Sequence, residues 1–430
     1  MSDTSPGGGL TTPDGAPRVV VTGTGMLTAL GADVASTWAG LVAGRSGIAT
    51  ITAFDPARVS SRIAGEVPGF DPSGVLDRKE QRRTDRYTQL ALVAAREALD
   101  EAGLPGRLDG ELAERTGIII ATGLGGGITF GEQVTISVEK GPDRVSPFFV
   151  PMAIPNVAAG QVAIFFGALG PNYAIASACA SGGHAVGEAW EIIRRGDADV
   201  MLAGSAEAVL SEPLVAGFAA MRALSTRNDD PAAASRPFDR GRDGFVIGEG
   251  AGVLVLESLA HARARGAPPL GEVVGYGASA DASHVTLPAP GGVGAIRAVR
   301  RALEKARLTV DDVEHVNAHA TSTPEGDRTE LEMLRGLFGA RAGDVNVTAI
   351  KSMIGHTLGA AGSIEAIVTL RTLREGVVPP TINLDDPDEL AAGLDLTPNV
   401  ARERRMTIAV SNSFGFGGQN SALVLRRWDK

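Results

Sequence analysis

Short apolar runs rich in Val and Ile alternate along the chain with longer stretches whose apolar residues recur at helical spacing. The predicted strands of the first half lie at 18–22, 116–121, 173–176, 199–203 and 252–257. Helices predicted between them include 84–102 and 182–195. Strands that alternate with helices are typical of crossover units on a buried sheet. The pattern therefore predicts an α/β fold.

A second series with similar order begins near residue 270. "GEVVGYGASADA" has the same character as "RVVVTGTGMLTA" near the start, an apolar strand followed by a glycine-containing turn. Predicted helices at 293–306, 327–337 and 359–375 then alternate with strands at 314–318 and 346–349, before closing strands in "RMTIAVSNS" and "SALVLRRW". We expect two duplicated α/β halves, at 18–268 and 269–430. The tail 1–17, rich in Ser, Thr, Gly and Pro, is predicted to be disordered.

Composition narrows the class of protein. Hydrophobic residues make up 44% of the 430 residues and charged residues 21%, as in proteins with a large core, while aromatic residues are only 4%. Gly and Ala must fill much of the interior. The formal net charge of −10 gives no basic nucleic-acid footprint. No apolar run approaches the ~20 residues of a membrane span, and the N-terminus lacks signal-peptide features, so a cytoplasmic protein is expected.

The single cysteine, Cys179, lies in "ASACASGGHAVGEAW". An apolar run precedes it and a predicted helix follows, so the helix dipole and free N–H groups would favour a thiolate and could stabilise an oxyanion. A buried structural cysteine is the alternative. This stretch alone leaves both interpretations open.

Two of the six histidines follow predicted strands or a glycine-rich turn. His319 lies in "VNAHATSTPEGD" and His356 in "IKSMIGHTLGAAG", where α/β folds place groups that face ligands. His184 is expected to pack inside its helix, and His261 and His315 are expected at the surface. No glycine-rich segment fits a nucleotide-binding motif, and no metal-ligand spacing is present.

Eight stretches, in order along the chain, resemble one family. They are "VVVTGTGMLTALG", "SPFFVPMAIPN", "ASACASGGHAVGEA", "RALSTRNDDPAAASRPFDRGRDGFVIGEGAG", "VNAHATSTPEGD", "KSMIGHTLGAAG", "PPTINLDDPD" and "SNSFGFGGQN". Together they resemble the β-ketoacyl-[acyl-carrier-protein] synthases of the condensing-enzyme superfamily, especially the type II elongating enzymes. The resemblance runs from Arg18 to Arg427 and implies a thiolase-like fold with duplicated halves in α-β-α-β-α layers.

The resemblance implies an acyltransferase that performs a decarboxylative Claisen condensation in fatty acid elongation. An acyl group passes from a carrier protein to the cysteine, malonyl-carrier protein loses carbon dioxide, and the carbanion attacks the thioester. The product is a 3-ketoacyl chain two carbons longer. Phosphopantetheine arrives on the carrier protein, and no other cofactor is required.

The same resemblance assigns catalytic roles. Cys179 is the nucleophile, and His319 and His356 donate hydrogen bonds to the malonyl thioester oxygen. Lys351 orients a network with Asp327 and Glu330 as its expected anionic partners. A solvated first helical turn is the alternative for those two acids. The backbone N–H groups of Cys179 and Phe416 form the oxyanion hole, and Phe416 also gates the acyl tunnel.

Further residues match substrate, cation and docking positions of the family. Thr286, Thr321 and Thr323 match contacts to the pantetheine arm. Leu124, Phe149 and Phe218 match the acyl pocket, Phe149 from the partner subunit, and Leu214 stands where a glycine is expected. A monovalent cation is expected in some members near Asn317, Glu330, Glu365, Ser411 and Asn412. Basic residues that could dock an acidic carrier protein are Lys79, Arg82, Arg83 and Arg222, although a solvated helix end explains them equally well.

Rival interpretations share parts of this pattern. A cysteine hydrolase needs one histidine and an orienting Asn or Asp, whereas two histidines and Lys351 suit decarboxylation better. A silent chain-length factor would lack the cysteine. A ketosynthase of a polyketide or polyene pathway has the same chemistry, and the sequence leaves the acyl chain open. A homodimer is expected, with a heterodimer of related subunits as the alternative.

Overall fold

The computed structural model describes residues 9–429. The strands are β1 (Val19–Leu27), β2 (Ala49–Thr50), β3 (Ile63–Ala64), β4 (Thr116–Ala121), β5 (Asn172–Tyr173), β6 (Val200–Glu207), β7 (Gly250–Ser258), β8 (Gly271–Ala280), β9 (His315–Asn317), β10 (Asn346–Thr348), β11 (Val377–Val378), β12 (Arg402–Glu403), β13 (Ile408–Gly415) and β14 (Gln419–Arg427). The helices are α1 (Val34–Val42), α2 (Arg78–Gln81), α3 (Arg86–Ala102), α4 (Gly110–Glu114), α5 (Gly127–Lys140), α6 (Phe149–Ala153), α7 (Val157–Phe166), α8 (Ser181–Arg195), α9 (Glu212–Ala220), α10 (Leu259–Ala264), α11 (Val293–Ala306), α12 (Pro324–Phe338), α13 (Lys351–Ile354) and α14 (Ala361–Glu375).

Ten strands form one sheet in which the two halves repeat the same topology. The first half runs β1-β7-β6-β4-β5 and the second β8-β14-β13-β9-β10. In each half the first two pairings are antiparallel and the last two are parallel. The halves join through a short antiparallel pairing of β1 with β8. The predicted duplication of α/β halves is confirmed.

Helices complete a five-layer arrangement. Helices α8 and α14 pack against each other and against strands of both halves, with Trp190, Ile193, Ile364 and Ile367 buried between them. Helices α3 and α7 cover the outer face of the first half, and α11 and α12 cover that of the second. The order of layers is therefore α-β-α-β-α, as the resemblance implies.

Glycines let the outer helices approach the strands closely, and they do so twice. A Cβ on Gly25 of β1 would lie 1.9 Å from the Ala94 carbonyl oxygen of α3. In the second half, a Cβ on Gly277 of β8 would lie 2.1 Å from the Ala298 carbonyl oxygen of α11. Only a residue without a side chain fits at such distances. The duplication is thus visible in packing as well as topology, and it explains the high Gly and Ala content.

Some predicted segments differ from the structure. The predicted strand at 173–176 is limited to β5, because the chain turns away toward Cys179. Residues 9–17 form a turn, with Thr12 N–H bonded to the Ala16 carbonyl at 2.8 Å and Asp14 paired with Arg194 at 2.6 Å, so disorder is the wrong prediction for them. Residues 1–8 lie outside the described part. The boundary at 268/269 stays a prediction.

Candidate active site

Three loops from different parts of the chain bring Cys179, His319 and His356 together. Cys179 precedes α8, His319 follows β9, and His356 lies between α13 and α14. Cys179 Sγ is 3.0 Å from His356 Nε2, and the two imidazole centroids are 5.3 Å apart. All three side chains are buried, at 8%, 8% and 2% exposure respectively. Cys179 and His356 are 177 positions apart in the sequence. They meet because the helices that follow them, α8 and α14, pack against each other.

The Cys179 loop has an unusual backbone. Ala178 adopts a φ of 49°, a left-handed conformation that is strained for a residue with a side chain. Gly415 packs directly on this turn, since a Cβ there would lie 2.7 Å from the Ser177 carbonyl oxygen. The backbone N–H groups of Phe416 and Cys179 both favour negative charge on Sγ. The turn therefore presents the sulfur to two backbone donors.

Burial raises the pKa of the Cys179 thiol to about 12. The Lys351 charge and the Phe416 and Cys179 N–H groups act in the opposite direction, but they do not offset the loss of solvent. The backbone N–H groups at the helix start therefore favour the thiolate as predicted, but burial outweighs them. Cys179 is therefore a thiol near pH 7, with its sulfur within hydrogen-bond distance of His356 Nε2.

Burial, followed by the positive charge of Lys351, holds the pKa values of His319 and His356 well below the usual range of histidine. Both rings are therefore neutral near pH 7. Lys351 Nζ lies 3.5 Å from His319 Nδ1. Because an ammonium group only donates, His319 Nδ1 accepts and its Nε2 carries the hydrogen. His319 thus has a defined tautomer with a donor on the opposite nitrogen.

Lys351 forms its ion pair with Glu365, and each side chain is only 1% exposed. Among the described residues Lys351 makes no ion pair with Asp327 or Glu330, so the expected direct pairing is wrong, although the charge of Lys351 acts to lower the pKa of Glu330. Glu330 accepts hydrogen bonds from the N–H groups of His319 (2.9 Å) and Ala320 (2.6 Å). Asp327 accepts from the N–H groups of Phe238, Ser322 and Thr323. Both acids are buried rather than solvated, and they hold the His319 loop instead of the lysine.

A cavity of about 520 Å³ opens onto Cys179, His319 and His356. Predicted residues in its wall are Leu124, Arg222, Phe218, Thr286, Thr321, Thr323 and Phe416. Leu214 and Phe149 do not line it within one chain. The Phe149 ring packs 5.5 Å from that of Phe130, and Leu214 lies beside Gly127. Lys79, Arg82 and Arg83 are exposed away from the cavity wall.

Sequence reasoning missed two residues of the site. Glu207 ends the apolar strand β6 and lies fully buried in the cavity wall. The Phe245 ring packs edge-on against His356, with centroids 5.3 Å apart. Glu207 could have been found from the sequence, because a single acidic residue at the end of an apolar strand indicates a candidate site residue. Phe245 had no comparable signal.

The proposed cation ligands are buried, and four of the five have polar atoms without a hydrogen-bond partner. Asn317 pairs with Ser411 across the parallel β9–β13 ladder, and Asn412 follows. Both side-chain polar atoms of Asn317, together with Ser411 Oγ, Asn412 Oδ1 and Glu365 Oε2, are buried without a hydrogen-bond partner. Buried polar groups normally have partners. The donor set therefore fits a hard monovalent cation.

The other histidines have structural positions. His184 packs edge-on against Tyr276, as expected, and its Nδ1 lies 2.7 Å from Ser177 Oγ. His261 is partly exposed and bonds Glu257. His315, expected at the surface, is fully buried on β9 between two neighbouring strands, where its Nδ1 bonds Asn346 Oδ1. The surface prediction for His315 is wrong.

The layered fold and the buried thiol between two neutral imidazoles define a condensing acyltransferase of the thiolase-like class. Residues 16–262 match the N-terminal domain of the β-ketoacyl synthase family, and residues 270–385 match its C-terminal domain. The chain belongs to the β-ketoacyl synthase family. Within residues 9–429, no helix has the length and apolar character needed to cross a membrane.

Relatives and solved structures agree with this assignment. The chain is 48% identical to 3-oxoacyl-[acyl-carrier-protein] synthase 2 of Staphylococcus aureus (strain N315), over 96% of this chain and 99% of that protein. It is 46% identical to the Synechocystis sp. protein of the same name, over 96% and 98%. A β-ketoacyl synthase from Burkholderia phymatum STM815 superposes with a TM-score of 0.89 at 38% identity, and the ishigamide ketosynthase/chain length factor with 0.90 at 34%, each covering 96% of this chain and 100% of the other.

Proposed function

We propose that this protein is a 3-oxoacyl-[acyl-carrier-protein] synthase that extends acyl chains in fatty acid synthesis. The observation that carries the proposal is the Cys179 thiol, 3.0 Å from His356 Nε2 and beside His319 at the end of an apolar cavity. The 48% identity to 3-oxoacyl-[acyl-carrier-protein] synthase 2 supports the same function.

Acyl transfer uses the thiol and the oxyanion hole. Cys179 Sγ attacks the acyl thioester carbon while His356 Nε2 takes the thiol proton, which overcomes the raised pKa of the cysteine. The N–H groups of Cys179 and Phe416 stabilise the tetrahedral oxyanion. The thiolate of the phosphopantetheine arm then leaves and recovers the proton, so that the acyl group stays on Cys179.

Condensation uses the two neutral histidines. Malonyl-carrier protein loses carbon dioxide, and its thioester oxygen gains negative charge. Hydrogen bonds from His319 Nε2 and from His356, in the tautomer that carries its hydrogen on Nε2, would stabilise that charge. The carbanion attacks the acyl carbon on Cys179 and forms the new carbon–carbon bond. The Cys179 sulfur leaves and takes up one proton from solvent. The products are carbon dioxide, a 3-ketoacyl-carrier protein and the free thiol.

Phe416 is suited to gate the cavity. It lies between Gly415 and Gly417, and Gly417 and Gly418 have φ angles of 84° and 71°. Glycines in such conformations allow a loop to move at little steric cost. Opening of this loop would admit the acyl chain past the ring. Thr286, Thr321 and Thr323 in the cavity wall would bind the pantetheine arm.

An acyl carrier protein is the proposed partner. Arg222 is exposed at the cavity wall, and a solved type II PKS ketosynthase, AntDE, is described in complex with its acyl-carrier protein, AntF. Lys79, Arg82 and Arg83 would extend the basic surface for an acidic carrier. We expect the enzyme in the cytoplasm with that carrier.

A homodimer is supported by an exposed apolar surface at the free edge of the sheet, where β5 lies. Its exposed side chains are Phe130, Val134, Val138, Val150, Ile154, Ile164, Leu169 and Tyr173. Such a patch on a soluble protein marks an interaction surface. In a dimer, Phe149 beside Phe130 would face the partner's acyl pocket.

A monovalent cation would bind beside the Lys351–Glu365 pair. Asn317, Glu330, Glu365, Ser411 and Asn412 would supply its ligands. When bound, the ion supplies positive charge that favours the ionised form of the two glutamates. Burial otherwise raises the pKa of both carboxyls to about 7.

The test is condensation with purified carrier proteins. Wild-type protein should convert saturated acyl-carrier protein and malonyl-carrier protein into the 3-ketoacyl product, with a covalent acyl adduct visible by mass spectrometry. Cys179→Ala should show neither adduct nor product. Thioester hydrolysis without condensation would contradict the proposal.

A polyketide ketosynthase is the second candidate, because the AntDE structure, at 34% identity and a TM-score of 0.87, carries a hexaketide. A chain-length scan that includes polyketone substrates separates the two functions. Preference for polyketone chains, or co-purification with a related partner subunit, would favour the polyketide role.

A further inference from the structure

Glu207 is a buried carboxyl group in the cavity wall to which no role has yet been assigned. It ends β6 and is fully buried. Within residues 9–429 it makes no ion pair with a basic side chain, unlike Glu365. It lines the same cavity as Cys179 and His356, so a role in the reaction has to be considered.

Four donors point at this carboxylate. Oε1 accepts from Thr122 Oγ1 at 2.9 Å and from the Leu124 N–H at 3.2 Å. Oε2 accepts from the N–H groups of Gly123 at 2.6 Å and Gly359 at 3.0 Å. Hydrogen bonds of this kind stabilise an ionised carboxylate. They oppose burial, which raises the pKa of Glu207 to about 7.

The four donors belong to two loops from opposite halves of the molecule. Thr122, Gly123 and Leu124 follow β4, and the last two form part of the cavity wall, whereas Gly359 follows His356 by three residues. The loops touch backbone to backbone. A Cβ on Gly359 would lie 2.3 Å from the Gly123 nitrogen, and one on Gly123 would lie 2.7 Å from Glu207 Oε2. The Glu207 carboxylate therefore bridges the two loops at the point where Gly123 and Gly359 are in close contact.

We propose that Glu207 is a positioning residue that holds the Leu124 loop against the turn after His356. This bridge fixes the distance between the wall of the acyl pocket and the catalytic imidazole. The inference rests on the proposed function, because it takes the cavity beside Leu124 as the acyl pocket.

The negative charge of Glu207 opposes ionisation of the Cys179 thiol. A positioning role and an electrostatic role for Glu207 therefore predict different results when the charge is removed. Burial is the main reason that the pKa of the Cys179 thiol is raised, and the negative charge of Glu207 raises it further. Removal of the charge should therefore ease ionisation of the thiol. Loss of the bridge should at the same time reduce condensation. A residue with a purely electrostatic effect would not produce these two opposite changes.

The test compares Glu207→Gln with Glu97→Gln. Glu97 is a matched control, since it accepts from the N–H groups of Met26 (2.9 Å) and Val34 (2.8 Å), burial likewise raises its pKa to about 7, and it lies outside the cavity wall. In Glu207→Gln the amide NH₂ must face N–H donors, so one arm of the bridge is lost. Condensation should fall by about tenfold to hundredfold, the range expected for a misplacement of about 1 Å.

Three further readouts identify the mechanism in Glu207→Gln. The pH profile of Cys179 alkylation should shift to lower pH, and the acyl-length preference should broaden. Hydrogen exchange should accelerate in peptides spanning 122–125 and 357–360. All three should stay unchanged in Glu97→Gln. Thr122→Val removes one donor without changing the charge, so it should reduce condensation less and leave the alkylation profile unchanged.

Wild-type condensation, length preference and hydrogen exchange in folded Glu207→Gln would overturn the proposal. If that variant does not fold, wild-type length preference and exchange in Thr122→Val would overturn it. Failure of the proposed function gives a different result, namely wild-type protein without condensation. The exchange of the two loops would still test the bridge in that case.

Discussion

Lys351 acts on all three catalytic side chains through its charge. It helps to hold the pKa values of His319 and His356 low, and it opposes the rise in the pKa of Cys179. A neutral imidazole can still donate to an enolate oxygen, provided that the facing nitrogen carries the hydrogen. The pairing with Glu365 keeps this buried charge in place.

Lys351→Met should destabilise the protein by about 3 kcal/mol, because it leaves Glu365 buried without its cation. The pKa of Glu365 should rise further, so the loss should be larger at pH 9 than at pH 6, where the carboxyl can protonate. Urea unfolding at both pH values measures this. The double variant Lys351→Met/Glu365→Gln should recover part of the loss, and equal stability of the single and double variants would contradict the ion-pair argument.

His315 should make the free energy of unfolding decrease at acidic pH. Burial lowers its pKa to about 4, whereas the unfolded chain has a value near 6.5. Its contribution is present above pH 6.5 and is lost as pH falls toward 4, because the unfolded state then binds the proton. The difference in unfolding free energy between wild type and His315→Asn should shrink by about 3 kcal/mol over that range. A difference that stays constant with pH would show that the pKa of His315 is the same in the folded and the unfolded chain, and would contradict the prediction.

The sequence predicted which side chains form the candidate active site better than it predicted their hydrogen-bond and ion-pair partners. Cys179, His319 and His356 came from motifs, but Glu365 is 14 positions from Lys351 and was placed with the cation ligands instead. Asp327 and Glu330 lie nearer to His319 in the chain, and they bind backbone N–H groups there. His315 lies beside a polar neighbour in sequence, and its buried partner Asn346 comes from strand register. Such pairings depend on tertiary packing.

The loop after β13 and the Cys179 turn are fitted to each other. A Cβ on Gly415 would lie 2.7 Å from the Ser177 carbonyl and 3.2 Å from the Cys179 nitrogen. Gly415→Ala should therefore move the sulfur or the Phe416 N–H, and acylation of Cys179 should fall by about tenfold or more. Quench-flow mass spectrometry measures the rate. Gly336→Ala, on an exposed helix face where the new Cβ meets Ile296 at an ordinary 3.5 Å, should leave acylation unchanged.

The sequence predicted helices and strands correctly where the periodic spacing of apolar residues continues over the whole element. The predicted bounds of β4 and α11 are those observed, since each has a clear period and clear ends. Shorter pieces were missed. Helix α13 has four residues, all buried, so its sequence carries no amphipathic period. The Cys179 turn follows an apolar run that resembles a strand, and backbone strain at Ala178 ends it early.

At the scale of the whole molecule, the apolar stripe on α5 should decide assembly. Phe130, Val134 and Val138 recur at four-residue spacing, and Val138 is 82% exposed. Val138→Arg should reduce the mass measured by light scattering from twice 44.1 kDa to 44.1 kDa, and condensation should fall with it. Val400→Arg changes a similarly exposed valine outside the stripe and should remain dimeric. A dimeric Val138→Arg would place the interface elsewhere.

The shared strand order gives Cys179 and His356 equivalent places in the two halves. In the first half β5 leads through the Cys179 turn into α8, and in the second β10 leads through the His356 turn into α14. A chain that arose when one ancestral half was copied and fused would have inherited this turn twice. In the proposed mechanism, one copy of the turn carries the nucleophile and the other carries the base. Each half thus contributes one of the two groups, so an isolated half would hold either Cys179 or His356 but not both.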